Sequence, residues 1–222
     1  MYDYFAILWF LFSCMVVRIS YDCVDYMLNH HGLIKYRQLP KYRQRYIQKN
    51  IVKSVSLVLL LIYAMLMTLN DIYHNKWDNY VLHRIAVMYV SNDFTALLCI
   101  EKLPQTTIIH HCISSLFVLA SLSLDFETSD IAQAMFIYCL SSASAYIVNL
   151  HLAFRFLFDK SKLELLRRSA ATIYLLACLC SWSWHVIWAC TRPNWTVWHF
   201  LYILFLFMIV RDDLVLINHL IR

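Results

Sequence analysis

Asp93 lies in the stretch Tyr89-Val90-Ser91-Asn92-Asp93, inside an apolar run bounded by Arg84 and Glu101. A charged Asp at the centre of a membrane helix costs about 2.5–3.5 kcal/mol on insertion scales, so it normally faces a cavity or a partner. Tyr89, Asn92, Asp93 and Ala96 are spaced i, i+3, i+4, i+7 and form one polar or small face. The next apolar run carries His110-His111, with His111, Ser114, Ser115 and Val118 on the same spacing and His110 above Ser114. Neutral imidazole serves as general base, nucleophile or metal ligand near neutral pH. Neighbours on a helix point about 100° apart, so at most one of the pair aims at a given substrate atom. The other orients it, binds a carboxylate such as Asp93, or faces a neighbouring helix. A third set, Tyr138, Ser141, Ser142, Ala145 and Asn149, lines a cavity or holds helices together.

The elements that position these groups must be helices in lipid. Of 222 residues, 61% are hydrophobic and only 15% charged, with mean hydropathy +0.57; a soluble domain would be about a quarter charged. One Gly and three Pro leave no glycine-rich phosphate loop and few tight turns, which excludes a nucleotide-binding sheet protein. The apolar content excludes a disordered chain. What remains is an all-α, polytopic integral membrane protein.

Charged residues delimit the spans. Asp3–Arg18 encloses 14 uncharged residues, Lys53–Asp71 17, Lys102–Asp125 22, Asp130–Arg155 24, Arg168–Arg192 23 and Arg192–Arg211 18, while Arg84–Glu101 encloses 16 with Asp93 among them. Crossing the hydrocarbon takes about twenty residues, roughly seventeen at the short end. The last six runs qualify with their flanks, and the first does so if Arg18 snorkels. Asp3 stands where a signal peptide has basic residues, so this first run is expected to be a span. The expectation is seven transmembrane helices: residues 1–49 hold the first span and a basic, mobile cytoplasmic loop near 29–50, and residues 50–222 hold a six-helix membrane domain.

Placing the stretches after spans one, three, five and seven in the cytoplasm puts 16 Lys and Arg there, leaving Lys76, Arg84 and Arg192 opposite. That bias predicts a lumenal N-terminus and a cytoplasmic C-terminus. The sequon Asn194-Trp195-Thr196 then lies on the lumenal side, too close to the membrane for glycosylation. The basic segment Lys35–Lys53, interleaved with Tyr36, Tyr42 and Tyr46, is assigned by its place between spans to anionic headgroups or simple anchoring, not to nucleic acid. Trp182, Trp184, Trp188, Trp195 and Trp198 read as an interfacial belt. Six of the eight Cys lie in apolar runs and act there as small hydrophobic residues.

No metal is expected. His30-His31 and His110-His111 lack a third spaced ligand, and His185 and His199 fall on different helices. Neither G-x-S-x-G nor H-E-x-x-H occurs. Arg211-Asp212-Asp213 reads as a cytoplasmic interface cap, with a buried ion pair as the alternative.

The order Tyr89-x-x-x-Asp93, a short loop, His110-His111, then Leu140-Ser141-Ser142 and Asn149 resembles the TLC-domain family, over roughly residues 50–220. That family includes ceramide synthases, translocation-associated membrane proteins and smaller TLC-domain-containing proteins. The resemblance implies a six-helix barrel around a central lipid cavity. It implies His110 or His111 as nucleophile or base with Asp93 as orienting group, and Tyr89, Asn92, Ser114, Ser115, Tyr138, Ser142 and Asn149 against the lipid. Asp125, Glu127 and Asp130 do not form the D-x-x-D of the synthases, and Leu140 and His151 replace a Glu and an Arg of the small branch, to which Leu-Ser-Ser and Asn149 come nearer. The implied function is binding or processing of acyl-chain lipids, with influence on sphingolipid or phospholipid composition. Alternatives are an acyl-CoA-dependent acyltransferase acting on a sphingoid base, and a structural or translocation-accessory protein. The resemblance further implies an endoplasmic reticulum or other endomembrane location, membrane lipids as partners, no cofactor beyond acyl-CoA as co-substrate, and a homodimer as the oligomer to test.

Overall fold

A computed structural model describes residues 4–31, 33–192 and 194–222. Asp3, used above to bound the first span, lies outside them. The regular elements among the described residues are all helices, without strands: α1 (Tyr4–His30), α2 (Ile34–Arg37), α3 (Lys41–Tyr73), α4 (Asn79–Cys99), α5 (Gln105–Ser121), α6 (Asp130–Ser142), α7 (Tyr146–Phe154), α8 (Lys160–Thr191) and α9 (Val197–Ile221). A single 3-10 turn, Ala143–Ala145, joins α6 to α7 into one rod.

Four rods are long and apolar enough to cross a membrane: α1, α3, α6–α7 and α8. The remaining long helices fall short for identifiable reasons. α5 has 17 residues, about 25 Å against a hydrocarbon core of about 30 Å. α4 carries Arg84, Asn92 and Asp93. Every 18-residue stretch of α9 includes Arg211, Asp212 and Asp213. The surface is inverted relative to a soluble protein. Leu66, Leu176 and Phe207 stand exposed, while Ser91, Asn92, Asp93, Thr95, His110, His111 and Ser114 are buried. Such a surface points to an integral membrane protein.

Helix neighbours close a ring: α3 against α4, α4 against α5, α5 against α9, α9 against α8, α8 against α7, and α7 against α3. α1 lies outside, against α3 and α4. α6 touches α4, α5, α8 and α9 and fills one end of the ring. Its Ala132 and Phe136 join the α4 core, and Ala134 and Tyr138 join the α5–α9 core. Small residues at the 3-10 turn let α3 and α8 approach, and Ala143 is wholly buried there. Beyond the turn α7 swings to the wall and leaves the other end of the ring hollow. That hollow end is flanked by the basic starts of α3 and α8.

Among the described residues, the segment expected to be a mobile loop near 29–50 is largely helical. Pro40, in extended conformation, precedes α3, and the helix starts at Lys41. Nothing from Lys41 to Tyr73 is Gly or Pro, so the helix runs unbroken for 33 residues, about 50 Å. It overshoots the hydrocarbon, and the boundary expected at residues 49/50 falls in its interior. A buried clasp fixes the overshoot. Tyr36 donates its hydroxyl to Asp25 Oδ1 at 2.6 Å, and Gln48 donates to the same oxygen and to Tyr36 Oη at 2.7 Å each. Tyr36 therefore serves the fold and not a headgroup. Trp188 also departs from the belt reading, being buried and stacked on His199 with ring centres 5.8 Å apart. Trp198 is exposed as that reading expects. All eight Cys are free thiols.

Candidate functional site

The hollow end of the ring is a cavity of about 290 Å³ to which every ring member contributes, through residues such as Lys53, Tyr89, His111, Asn149, Tyr174 and Asp212. Exposed Pro104, Val215 and His219 rim it, and Tyr89, His110 and His111 lie deeper and are buried.

Asp93 sits behind this floor with no exposure at all. Three helices converge on its carboxylate. The Lys53 ammonium of α3 donates to Oδ1. His111 Nδ1 of α5 lies 3.3 Å from the same oxygen. Ser114 donates to Oδ2 at 3.2 Å, and also to the His110 carbonyl one turn back at 2.7 Å. His111 Nε2 is buried without a hydrogen-bond partner.

His110 belongs to a second dyad. Its Nδ1 lies 3.2 Å from Asp212 Oδ2 on α9. Asp212 and Asp213 thus turn inward, and Tyr174 donates its hydroxyl to Asp213 at 2.8 Å; Arg211 alone of the three is exposed. The interface cap expected for this triplet is replaced by two interior carboxylates. The His110 side chain is 11% exposed against 3% for His111, so His110 is the imidazole that a ligand in the cavity meets first.

The other expected site residues divide. Ser142 and Asn149 line the cavity beside Tyr89. Tyr138 and Ser114 border a separate void of about 20 Å³ between α4, α5 and α6, room for a single water. Asn92 and Ser115 border neither space; Asn92 donates to the Met88 carbonyl at 3.4 Å and Ser115 to the His111 carbonyl at 2.7 Å. The 3-10 turn explains the split along α6–α7, because it resets the helical phase between Tyr138 and Asn149.

Asp93, His110 and His111 hold one donor atom each within 4.8 Å of one another. Tetrahedral zinc wants donors near 2.1 Å from the ion, hence roughly 3.4 Å apart. His111 Nδ1 and Asp93 Oδ1, 3.3 Å apart, meet that spacing, but Lys53 already neutralises the carboxylate. A cation is poorly served here. His185 and His199 are committed elsewhere, to Tyr202 Oη at 2.8 Å and Asp130 Oδ2 at 3.1 Å.

Sequence reasoning missed Lys49, Lys53 and Arg155, and offered Asp212 only through the alternative of a buried ion pair. The two lysines are one turn apart on α3, and that i, i+4 spacing was the available signal once the helix was known to begin at Lys41.

Ring, inverted surface and enclosed polar site together define an all-helical protein with membrane-spanning character. No family model, curated protein or solved structure matches the chain.

Proposed function

We propose that the chain is a seven-span, TLC-like endomembrane protein that takes the polar end of an acyl-chain lipid into its cavity and thereby alters membrane lipid composition. The observation that carries this reading is the pair of His–Asp dyads, His111–Asp93 and His110–Asp212, beside one cavity inside an apolar-surfaced ring. Ionisable groups in such a setting are costly and mark a binding or transfer path. The closed run of neighbours from α3 round to α7 supports a six-helix barrel with α1 outside. The distribution of Lys and Arg supports a lumenal N-terminus.

A second reading, acyl transfer, draws on the orientation of His110 by Asp212. Its free nitrogen attacks the thioester carbonyl of an acyl-CoA, and the C–S bond breaks with its electrons on sulfur. The thiolate takes the Nδ1 proton, leaving an acyl-imidazole. A sphingoid-base amine then forms the C–N bond of the product, the acyl–imidazole bond breaks, and the amine proton returns to the ring.

Intact-mass spectrometry of the wild type beside His110→Ala/His111→Ala, with extracted lipids analysed from the same samples, separates the two. A fatty-acyl adduct lost in the variant favours transfer. One defined lipid retained by both proteins favours a carrier or sensor. Neither adduct nor lipid would overturn both readings.

A further inference from the structure

Lys49 makes no ion pair. It is 5% exposed and lines the cavity, yet among the described residues no carboxylate oxygen lies within 4.0 Å of its ammonium. Its ammonium lies 5.6 Å from the centroid of the Tyr46 ring. Lys53, one turn on, is equally enclosed but owns Asp93. Like charges at i, i+4 repel, and a buried cation with no counter-charge is among the costliest groups a fold can carry.

The rest of the lining points the same way. Arg155 faces the cavity with its Nε buried and unpartnered, while its Nη1 lies 2.6 Å from His219 Nε2 at the rim. Counting the groups that line or back the space, Lys49, Lys53 and Arg155 stand against the carboxylates of Asp93, Asp212 and Asp213. All three carboxylates already have partners: Lys53 with His111 for the first, His110 for the second and the Tyr174 hydroxyl for the third. Lys49 and Arg155 are the lining cations without a carboxylate of their own among the described residues, and both border the same roughly 290 Å³ of space.

We propose that this is an anion subsite: Lys49 and Arg155 hold the phosphoryl group of an anionic phospholipid headgroup, with the acyl chains extending from the cavity towards the bilayer. The proposal rests on the lipid-handling reading above and names the headgroup class that site takes. Phosphate suits the pair, since ammonium and guanidinium both form charge-assisted hydrogen bonds to its oxygens. The volume suits a headgroup with the first part of its chains and not a whole lipid, lying at the small end of ligand cavities.

The test is binding to purified full-length protein in an uncharged detergent, by calorimetry, using dihexanoyl-phosphatidate, dihexanoyl-phosphatidylcholine and inorganic phosphate. The wild type is expected to bind phosphatidate at least tenfold more tightly than the choline lipid, about 1.4 kcal/mol. Lys49→Met should reduce that ratio to below threefold, and Lys49→Arg should keep most of it. Arg155→Met gives the same reading from the end of α7 if Lys49→Met fails to fold. Equal binding of both lipids by the wild type, or a ratio unchanged in Lys49→Met and Arg155→Met, would overturn the subsite while leaving a lipid-binding cavity in place. Phosphate binding as tightly as phosphatidate would overturn the lipid as its source. Binding of neither lipid would overturn the lipid reading and the subsite with it.

Discussion

Lys53 and Asp93, forty residues apart in the chain, meet as a buried ion pair that ties α3 to α4 beneath the cavity. The carboxylate is wholly shielded, and its other oxygen is taken by Ser114. The pair holds the floor on which the imidazoles rest, so its disruption should be felt in the fold before it is felt in any chemistry.

Removing one partner leaves the other charge buried. Lys53→Met should therefore cost about 3–5 kcal/mol, seen as a lowered unfolding midpoint in detergent. The double variant Lys53→Met/Asp93→Leu should recover much of that loss. Equal damage from single and double variants would mean that the two residues act independently.

The start of α3 gives a second test. Gln48 and Asn50 are buried, and Tyr36 locks the turn before the helix through Asp25 and Gln48. Limited trypsin digestion should spare Lys41 to Lys49, and Tyr36→Phe should open that stretch to cleavage by leaving buried polar groups short of a partner, at about 1–3 kcal/mol. Rapid cutting of the wild type there would restore the mobile loop.

How much of this was legible follows from how charge was used. Apolar runs between charged residues anticipated the rods from α3 onward, and Asp93 and the His pair stood out because they interrupt such runs. The same rule hid Lys49 and Lys53. A residue treated as the edge of a span is not asked which way it faces, and only a helix that starts twelve residues before Lys53 turns both lysines inward. Asp212 was hidden likewise: beside Arg211 at the end of an apolar run it reads as a cap, and the rotation of α9 in the ring decides that it meets His110. Asn92 and Ser115 show the converse, since helical spacing marks a polar face without saying what that face looks at.

An acid-sensitive contact lies outside the spans. Asn79 donates to Asp125 Oδ1 at 2.7 Å, joined there by the Glu127 amide at 3.0 Å, and the Thr128 hydroxyl donates to Oδ2 at 3.1 Å. These bonds, Asn79 foremost, hold the Asp125 carboxyl below its ordinary value of 3.8. A lowered carboxyl stabilises the fold above the unfolded value and loses that contribution as pH falls through the folded one. Protection of the amides in residues 125–129, measured against their intrinsic exchange rates, should hold at neutral pH and fall only below about pH 4. Asp125→Asn should show low protection at both; a wild type already open at pH 6 would contradict the contact.

The two imidazoles should not be equivalent. His110→Ala leaves the Asp93 cluster intact and strips only the part-exposed Asp212 of its partner, so it should change ligand binding at least fivefold at a small cost in stability. His111→Ala removes a neighbour of Asp93 deep in the fold and should lower the unfolding midpoint as well. Identical stability losses from both variants would argue against His110 as the group that meets the ligand.

The central claim, that the cavity holds an acyl-chain lipid, is tested most directly by native mass spectrometry of the wild type beside Thr107→Trp. Thr107 is a half-buried lining residue on α5, one turn before the imidazoles, and an indole there fills cavity space while both His–Asp dyads keep their own side chains. The account predicts one defined lipid per chain in the wild type and its loss from Thr107→Trp, with helical content unchanged. No bound lipid in the wild type, or the same lipid at the same stoichiometry in both proteins, would contradict it.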